Sequence, residues 1–125
     1  MDLPRSRRGS ESLTRIYKIL GREAWVSALE SGVFSGSAVD LNDGFIHFST
    51  ADQAMETARR HFTGQPDLVV LAIEADSLGA DLKWEPSRGG VLFPHLHADL
   101  PTRLVLAVTA APLGTDGVPH LGDLC

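Results

Sequence analysis

Two short stretches of this chain carry the residue types best suited to chemistry. Asp43-Gly44-Phe45-Ile46-His47-Phe48-Ser49-Thr50 sets an imidazole and two hydroxyls beside a glycine and aromatic rings. Glu85-Pro86-Ser87-Arg88-Gly89-Gly90-Val91-Leu92-Phe93-Pro94-His95-Leu96-His97 adds a carboxylate, a guanidinium, a flexible Gly-Gly and two more imidazoles. His47 stands just before residues able to cap a helix, and the N–H groups at a helix start favour anions. His47, Ser49 and Thr50 could therefore hold a phosphate or a ribose; the plain alternative is a core histidine beside a simple cap. Arg88 suits a planar or phosphate anion, and Gly90 lets backbone approach a ligand closely. The plain reading there is a turn with a surface Arg–Glu pair, worth well under about 1 kcal/mol. Phe93, His95 and His97 complete the second stretch. Histidines at i and i+2 on a strand point the same way, which is one route to a metal.

A chain of 125 residues with 43% hydrophobic content is one domain with enough apolar material for a core. Its single cysteine, Cys125, excludes an internal disulfide framework and a cysteine-rich zinc site. No apolar run approaches the roughly 20 residues of a membrane span, and Arg7-Arg8 precede no apolar stretch, so a cytoplasmic protein without membrane association is expected. The formal charge is −5; residues 1–14 carry +1, so the remainder carries −6 from 8 basic and 14 acidic side chains. An acidic body repels phosphate backbones, and there is no basic stripe or row of aromatics for stacking bases. General nucleic-acid binding is not expected. A small anionic or nucleotide ligand held by one or two arginines is.

The elements that must position these groups follow from periodicity. Residues 1–14 are polar and aperiodic and are expected to be a disordered tail. Arg15 to Leu20 alternates as a strand, and Gly21 breaks it. Trp25, Ala28 and Leu29 recur at helical spacing until Gly32. Residues 33–42 read as a loop. Gly44 to Phe48 reads as a strand. Thr50 and Gln53 match a capping box before a helix whose apolar stripe is Ala51, Ala54, Met55, Ala58 and Phe62. Leu68 to Ile73 is a continuous apolar run, best satisfied as a buried strand. Asp76 to Gly79 is a turn, and Asp81 to Glu85 a shorter strand. Residues 86–102, with three prolines and two glycines, read as an irregular loop with at most a short extended piece. Arg103 to Ala110 alternates as a closing strand, and 113–125 reads as a loose tail. The expectation is a single α+β domain over 15–112, with two short helices and five or six strands.

These residues also carry a resemblance. Ile16-Tyr17-Lys18-Ile19, Trp25, Gly32, Gly36-Ser37, the run Asp43 to Thr50, Gln53, Thr57-Ala58, Asp67-Leu68, Lys83-Trp84-Glu85 and Gly90 to His95 together resemble domain of unknown function family 952, small bacterial proteins, over about residues 15–112. That family's fold is similar to the ADP-ribosyltransferases, so the resemblance implies an ADP-ribosylation-like split β-sheet around a nicotinamide dinucleotide cleft. Ile46-His47-Phe48-Ser49 before a helix resembles the histidine–x–serine element of RNA 2′-phosphotransferases, and only His47 and Ser49 transfer from it. Glu85 is the nearest counterpart of the transferases' ribose-anchoring glutamate, and Arg88 of the phosphotransferases' arginines. The implied function is binding of NAD or a related nucleotide between His47 and the Arg88–His97 segment. His47 and Glu85 would be the catalytic pair of an ADP-ribosyltransferase-like or phosphotransferase-like enzyme, with no metal expected. Two alternatives share these residues: a non-catalytic small-ligand module, and a metal-dependent enzyme using His47, His95 and His97. Oligomeric state is not legible.

Overall fold

The computed structural model describes residues 14–124, apart from the Arg88 side chain. Residues 1–13 of the expected tail lie outside the described residues. The chain builds two three-stranded antiparallel sheets, a two-stranded pair and three α-helices among the described residues. The α+β class therefore stands.

The larger sheet has β4 (Leu68–Glu74) between β1 (Arg15–Gly21) and β8 (Val105–Ala110). β4 is the continuous apolar run, and it is continuous because both of its faces are covered. Val69, Leu71 and Ile73 join Ile16, Leu20, Trp25, Phe34, Ile46, Phe48, Leu96 and Leu100 in one core. Leu68, Val70 and Ala72 join Tyr17, Ile19, Ala54 and Ala58 in a second. β1 alternates in the same way: Ile16 and Leu20 face the first core, Tyr17 and Ile19 the second. Lys18 shares the face of Ile16 and Leu20 and is buried there.

Helix α1 (Arg22–Ser31) lays Trp25 and Ala28 on the first core and ends at Gly32, left-handed at φ 90°, whose N–H bonds Ala28 O. Helix α3 (Ala51–His61) covers the second core. Its Thr50–Gln53 capping box is present, and Ala54 and Ala58 are fully buried. Met55, expected in that stripe, is exposed instead: the small alanines form the contact line, and Met55 falls on its flank.

Several expected elements differ. Residues 33–42 are not a loop: they hold β2 (Val33–Phe34) and helix α2 (Ala38–Asp43), which opens on a Ser37–Asp40 capping box. The strand at 44–48 shrinks to β3 (Ile46–His47). The expected turn at Asp76–Gly79 lies within a 3-10 segment, Ala75–Asp81. The proline-rich stretch 86–102 is mostly sheet. β5 (Leu82–Pro86) and β6 (Leu92–Leu96) form a hairpin, β7 (Leu100–Pro101) pairs with β2, and β3, β6 and β5 make the second three-stranded sheet in that order. Pro94 is tolerated inside β6 for a geometric reason. Its carbonyl accepts from Phe48 N at 3.0 Å, so the N–H it lacks would have faced the same side, where β3 has ended. No bond to β5 is lost. A 3-10 turn at Thr102–Leu104 delays the last strand to Val105.

The two sheets meet at one bridge, Tyr17 with Ser49, through N–H···O bonds of 2.8 and 2.9 Å. Residues 113–124 fold back rather than trailing: Leu121 is buried in the second core, and Gly64 N donates to Gly117 O. No helix among the described residues is long and apolar enough to cross a membrane.

Candidate functional site

The site lies on the small sheet, and its foundation is α2. Gly36 at φ 125° lets the chain turn so tightly that a Cβ there would sit 2.9 Å from Asp40 Cβ. Asp40 is thereby tucked under the helix start, with its side chain 1% exposed. Five contacts satisfy it. Lys18 Nζ approaches both carboxylate oxygens, at 3.1 and 2.9 Å. Ser37 N–H donates at 2.8 Å, His47 N–H at 3.1 Å, and His47 Nδ1 lies at 2.7 Å. Burial alone would raise the Asp40 pKa, but the His47 bond, the Lys18 charge and the Ser37 N–H outweigh it and hold the carboxyl well below the usual range. Burial lowers the pKa of Lys18, offset only in part by Asp40.

With Asp40 ionised, Nδ1 of His47 is its donor, and Nε2 is the nitrogen turned towards Asp43, whose Oδ2 is 2.9 Å away. His47 is 30% exposed and Asp43 38%, so this end of the ring reaches solvent while the other is anchored in the interior.

The register across the sheet supplies the second half. His47 on β3 stands opposite His95 on β6, and the ring centroids are 5.4 Å apart. His95 Nδ1 meets Glu85 Oε1 at 2.8 Å, and His97 Nε2 meets the same oxygen at 3.0 Å. Those bonds from His97 and His95 lower the Glu85 pKa. Phe45 covers the group: its ring stacks on His95 at 4.1 Å and touches the rings of His47 and His97 at 4.7 and 5.2 Å. The result is two carboxylate-oriented imidazoles side by side, a third on the rim, and an aromatic plane among them. Carboxylate–imidazole pairs are the arrangement of general acid–base catalysis.

Of the residues singled out from sequence, His47, Glu85, His95 and His97 converge here. Phe93 is buried on β6 opposite Glu85. Ser49 is buried, bonded through Oγ to Thr57 Oγ1 at 3.0 Å, and its backbone forms the bridge between sheets. Thr50 caps α3, and its N–H is taken by Gln53 Oε1. Both hydroxyls therefore have structural work of their own. Arg88 and Gly90 occupy the turn joining β5 to β6, with Gly90 at φ 80°. Sequence reasoning passed over Lys18, Asp40, Asp43 as a partner of His47, and Phe45 as the central ring. Two signals were available: a lysine inside an apolar strand needs a partner, and Ser37-x-x-Asp40 is itself a capping-box pattern. Among the described residues no group of three His, Cys, Asp or Glu side chains is placed to hold a metal ion. The reading that uses His47, His95 and His97 as metal ligands gains no support from that geometry. A cavity of about 230 Å³ lined by Arg22, Asp67, Leu68 and Ala110–Pro112 shares no residue with this cluster.

Comparison with known proteins agrees with this architecture without naming a chemistry. An X-ray structure of protein CC0527 from Caulobacter crescentus is 56% identical, with a TM-score of 0.86 over 88% of this chain and 96% of that one. A solution NMR structure of the same protein is 56% identical, with a TM-score of 0.79 over 87% and 94% of the two chains. The comparison with curated proteins returns no match. The model of the family described as "Protein of unknown function (DUF952)" matches residues 19–108. The chain belongs to that family.

Proposed function

We propose that the His47–His95–Glu85 cluster is the ligand site of an ADP-ribosylation-like domain, and that it takes NAD or a related nucleotide as ligand or substrate. The observation that supports this reading most is the meeting of His47 and Glu85, from distant parts of the chain, through a single buried histidine. Glu85 offers a carboxylate where positive charge develops on a sugar carbon during glycosidic cleavage. His47 Nε2, on the solvent side of its ring, offers a hydrogen bond to a ribose hydroxyl or an amide in place of its contact with Asp43. Phe45 offers a flat ring against which a base or nicotinamide can lie.

The residues fit the sugar and base better than the phosphates. Asp40, Asp43 and Glu85 make the centre of the cluster acidic, and Thr50 and Gln53 are engaged in the capping box, with Gln53 Nε2 donating to Leu92 O. Phosphate charge therefore needs a cation outside this centre, and Arg88 in the β5–β6 turn is one such residue.

Calorimetric titration with NAD of the native protein, His47→Ala and Glu85→Gln tests the reading. Loss of one ligand hydrogen bond of about 1.4 kcal/mol weakens binding about tenfold. Both variants should lose that much while keeping the native circular dichroism spectrum. Unchanged affinity in both would exclude the assignment. Nicotinamide release above the protein-free rate marks glycosidic cleavage, with ADP-ribose found on an acceptor marking transfer; binding without release marks a module that keeps the site without turnover.

A further inference from the structure

The chain has two lysines, and both belong to this region. Lys18 is buried beneath Asp40. Lys83 lies on β5, and the strand register places it directly opposite His95, which is in turn opposite His47. Directly opposed residues of antiparallel strands carry their side chains on the same face, about 5 Å apart. His47, His95 and Lys83 therefore form one row of nitrogen side chains across all three strands. Glu85, two residues on from Lys83, must share that face, and its bonds to His95 and His97 agree.

Within this row Lys83 stands apart. It is exposed, and its ammonium has no hydrogen-bond or ion-pair partner among the described residues. Of the cluster's carboxylates, Asp40 is engaged by Lys18, His47 and Ser37, and Glu85 by two imidazoles. A free cation at one end of the row and an oriented imidazole at the other define a polarity for whatever lies between them. We infer that Lys83 is the anion anchor of the site, seating a phosphate group of the ligand while the remainder extends past Phe45, which covers His95, towards His47. The ligand class rests on the nucleotide reading above; the placement of the anion does not. An ammonium is a compact point charge well suited to a phosphate oxygen. Its position at the end of the row meets the need for positive charge that the acidic centre leaves open.

The test uses two probes, inorganic pyrophosphate and NAD, titrated separately into the ¹⁵N-labelled protein, Lys83→Gln and Lys83→Arg. In the native protein pyrophosphate should shift the amides of Lys83 to Glu85 and His95 saturably at millimolar concentration. Lys83→Gln should weaken both probes at least tenfold, and Lys83→Arg should restore them to within about threefold. Unchanged affinity of NAD and pyrophosphate for Lys83→Gln overturns the anchor and leaves the nucleotide reading intact. Lys83-dependent pyrophosphate binding without any NAD binding supports the anchor and removes the nucleotide. No binding of either probe to the native protein sinks both. Lysines on edge strands also discourage strand-to-strand association. If Lys83→Gln self-associates and its affinity for both probes is unchanged, Lys83 is an edge guard and the inference fails.

Discussion

Replacing Asp40 with alanine should be among the most damaging single changes to this fold, although the residue sits on a six-residue helix at the surface. Its side chain is 1% exposed and that of Lys18 6%, with Nζ 2.9 Å from Oδ2. Removing one partner of a buried ion pair leaves the other charged and dry, which costs about 3–5 kcal/mol. Asp40→Ala also strips the acceptor from Ser37 N–H and both His47 donors, but these groups are partly exposed and water can replace it. A total near 4 kcal/mol is a large part of the 5–15 kcal/mol of a typical domain. With a urea slope of about 1.5 kcal/mol per molar, the midpoint should fall by nearly 3 M. Lys18→Met should cost less, about 2 kcal/mol, because Asp40 keeps donors from His47 and Ser37. The double variant should lose about 2–3 kcal/mol less than the sum of the singles, since the orphaned lysine is gone. Urea denaturation of the four proteins at pH 7, followed by circular dichroism, measures the cycle. A cost below 1 kcal/mol for Asp40→Ala, or strict additivity in the double variant, would refute the idea that these charges depend on one another.

Further outcomes follow from the same geometry. The Asp40 and Glu85 pKa values are lower in the folded state than their ordinary 3.8 and 4.5, so their stabilisation is complete above those values and is lost as pH falls below them. The urea midpoint should therefore hold from pH 7 to about pH 5 and drop below pH 4, with a shallower drop in Asp40→Asn; an identical acid limb in that variant would contradict the assignment. Thr50→Ala should cost about 1 kcal/mol through the lost helix cap, seen as a thermal midpoint about 4 °C lower, and no change in melting would show the box to be idle. Gly32→Ala meets no atom within 4 Å, so its cost is backbone strain alone at φ 90°, about 1–2 kcal/mol by the same assay.

What could be read in advance was local. Thr50–Gln53, Gly32 and the two-faced run of β4 each depend on neighbours within a few residues, and each was visible. Ser37–Asp40 was equally local, yet the glycine and serine around it pointed to a loop and hid a helix. Proline content misled at 86–102, because whether Pro94 costs a ladder bond depends on which side of β6 its missing N–H faces. That depends on pairing with β3, a contact between distant segments. The site shares this dependence. His47 and Glu85 were each visible as chemical groups, but their meeting through His95 follows from the order β3-β6-β5, which no local pattern encodes. Lys18 lies between, since its burial followed from the strand pattern while its partner did not.

The most direct test of the central claim is an amide NMR titration of the native protein with NAD. If one nucleotide site spans both segments, residues 43–50 and 83–97 shift together and saturate with a single dissociation constant. Absence of shifts at millimolar NAD, or shifts confined to one segment or to the Arg22–Asp67 side of the molecule, would contradict it.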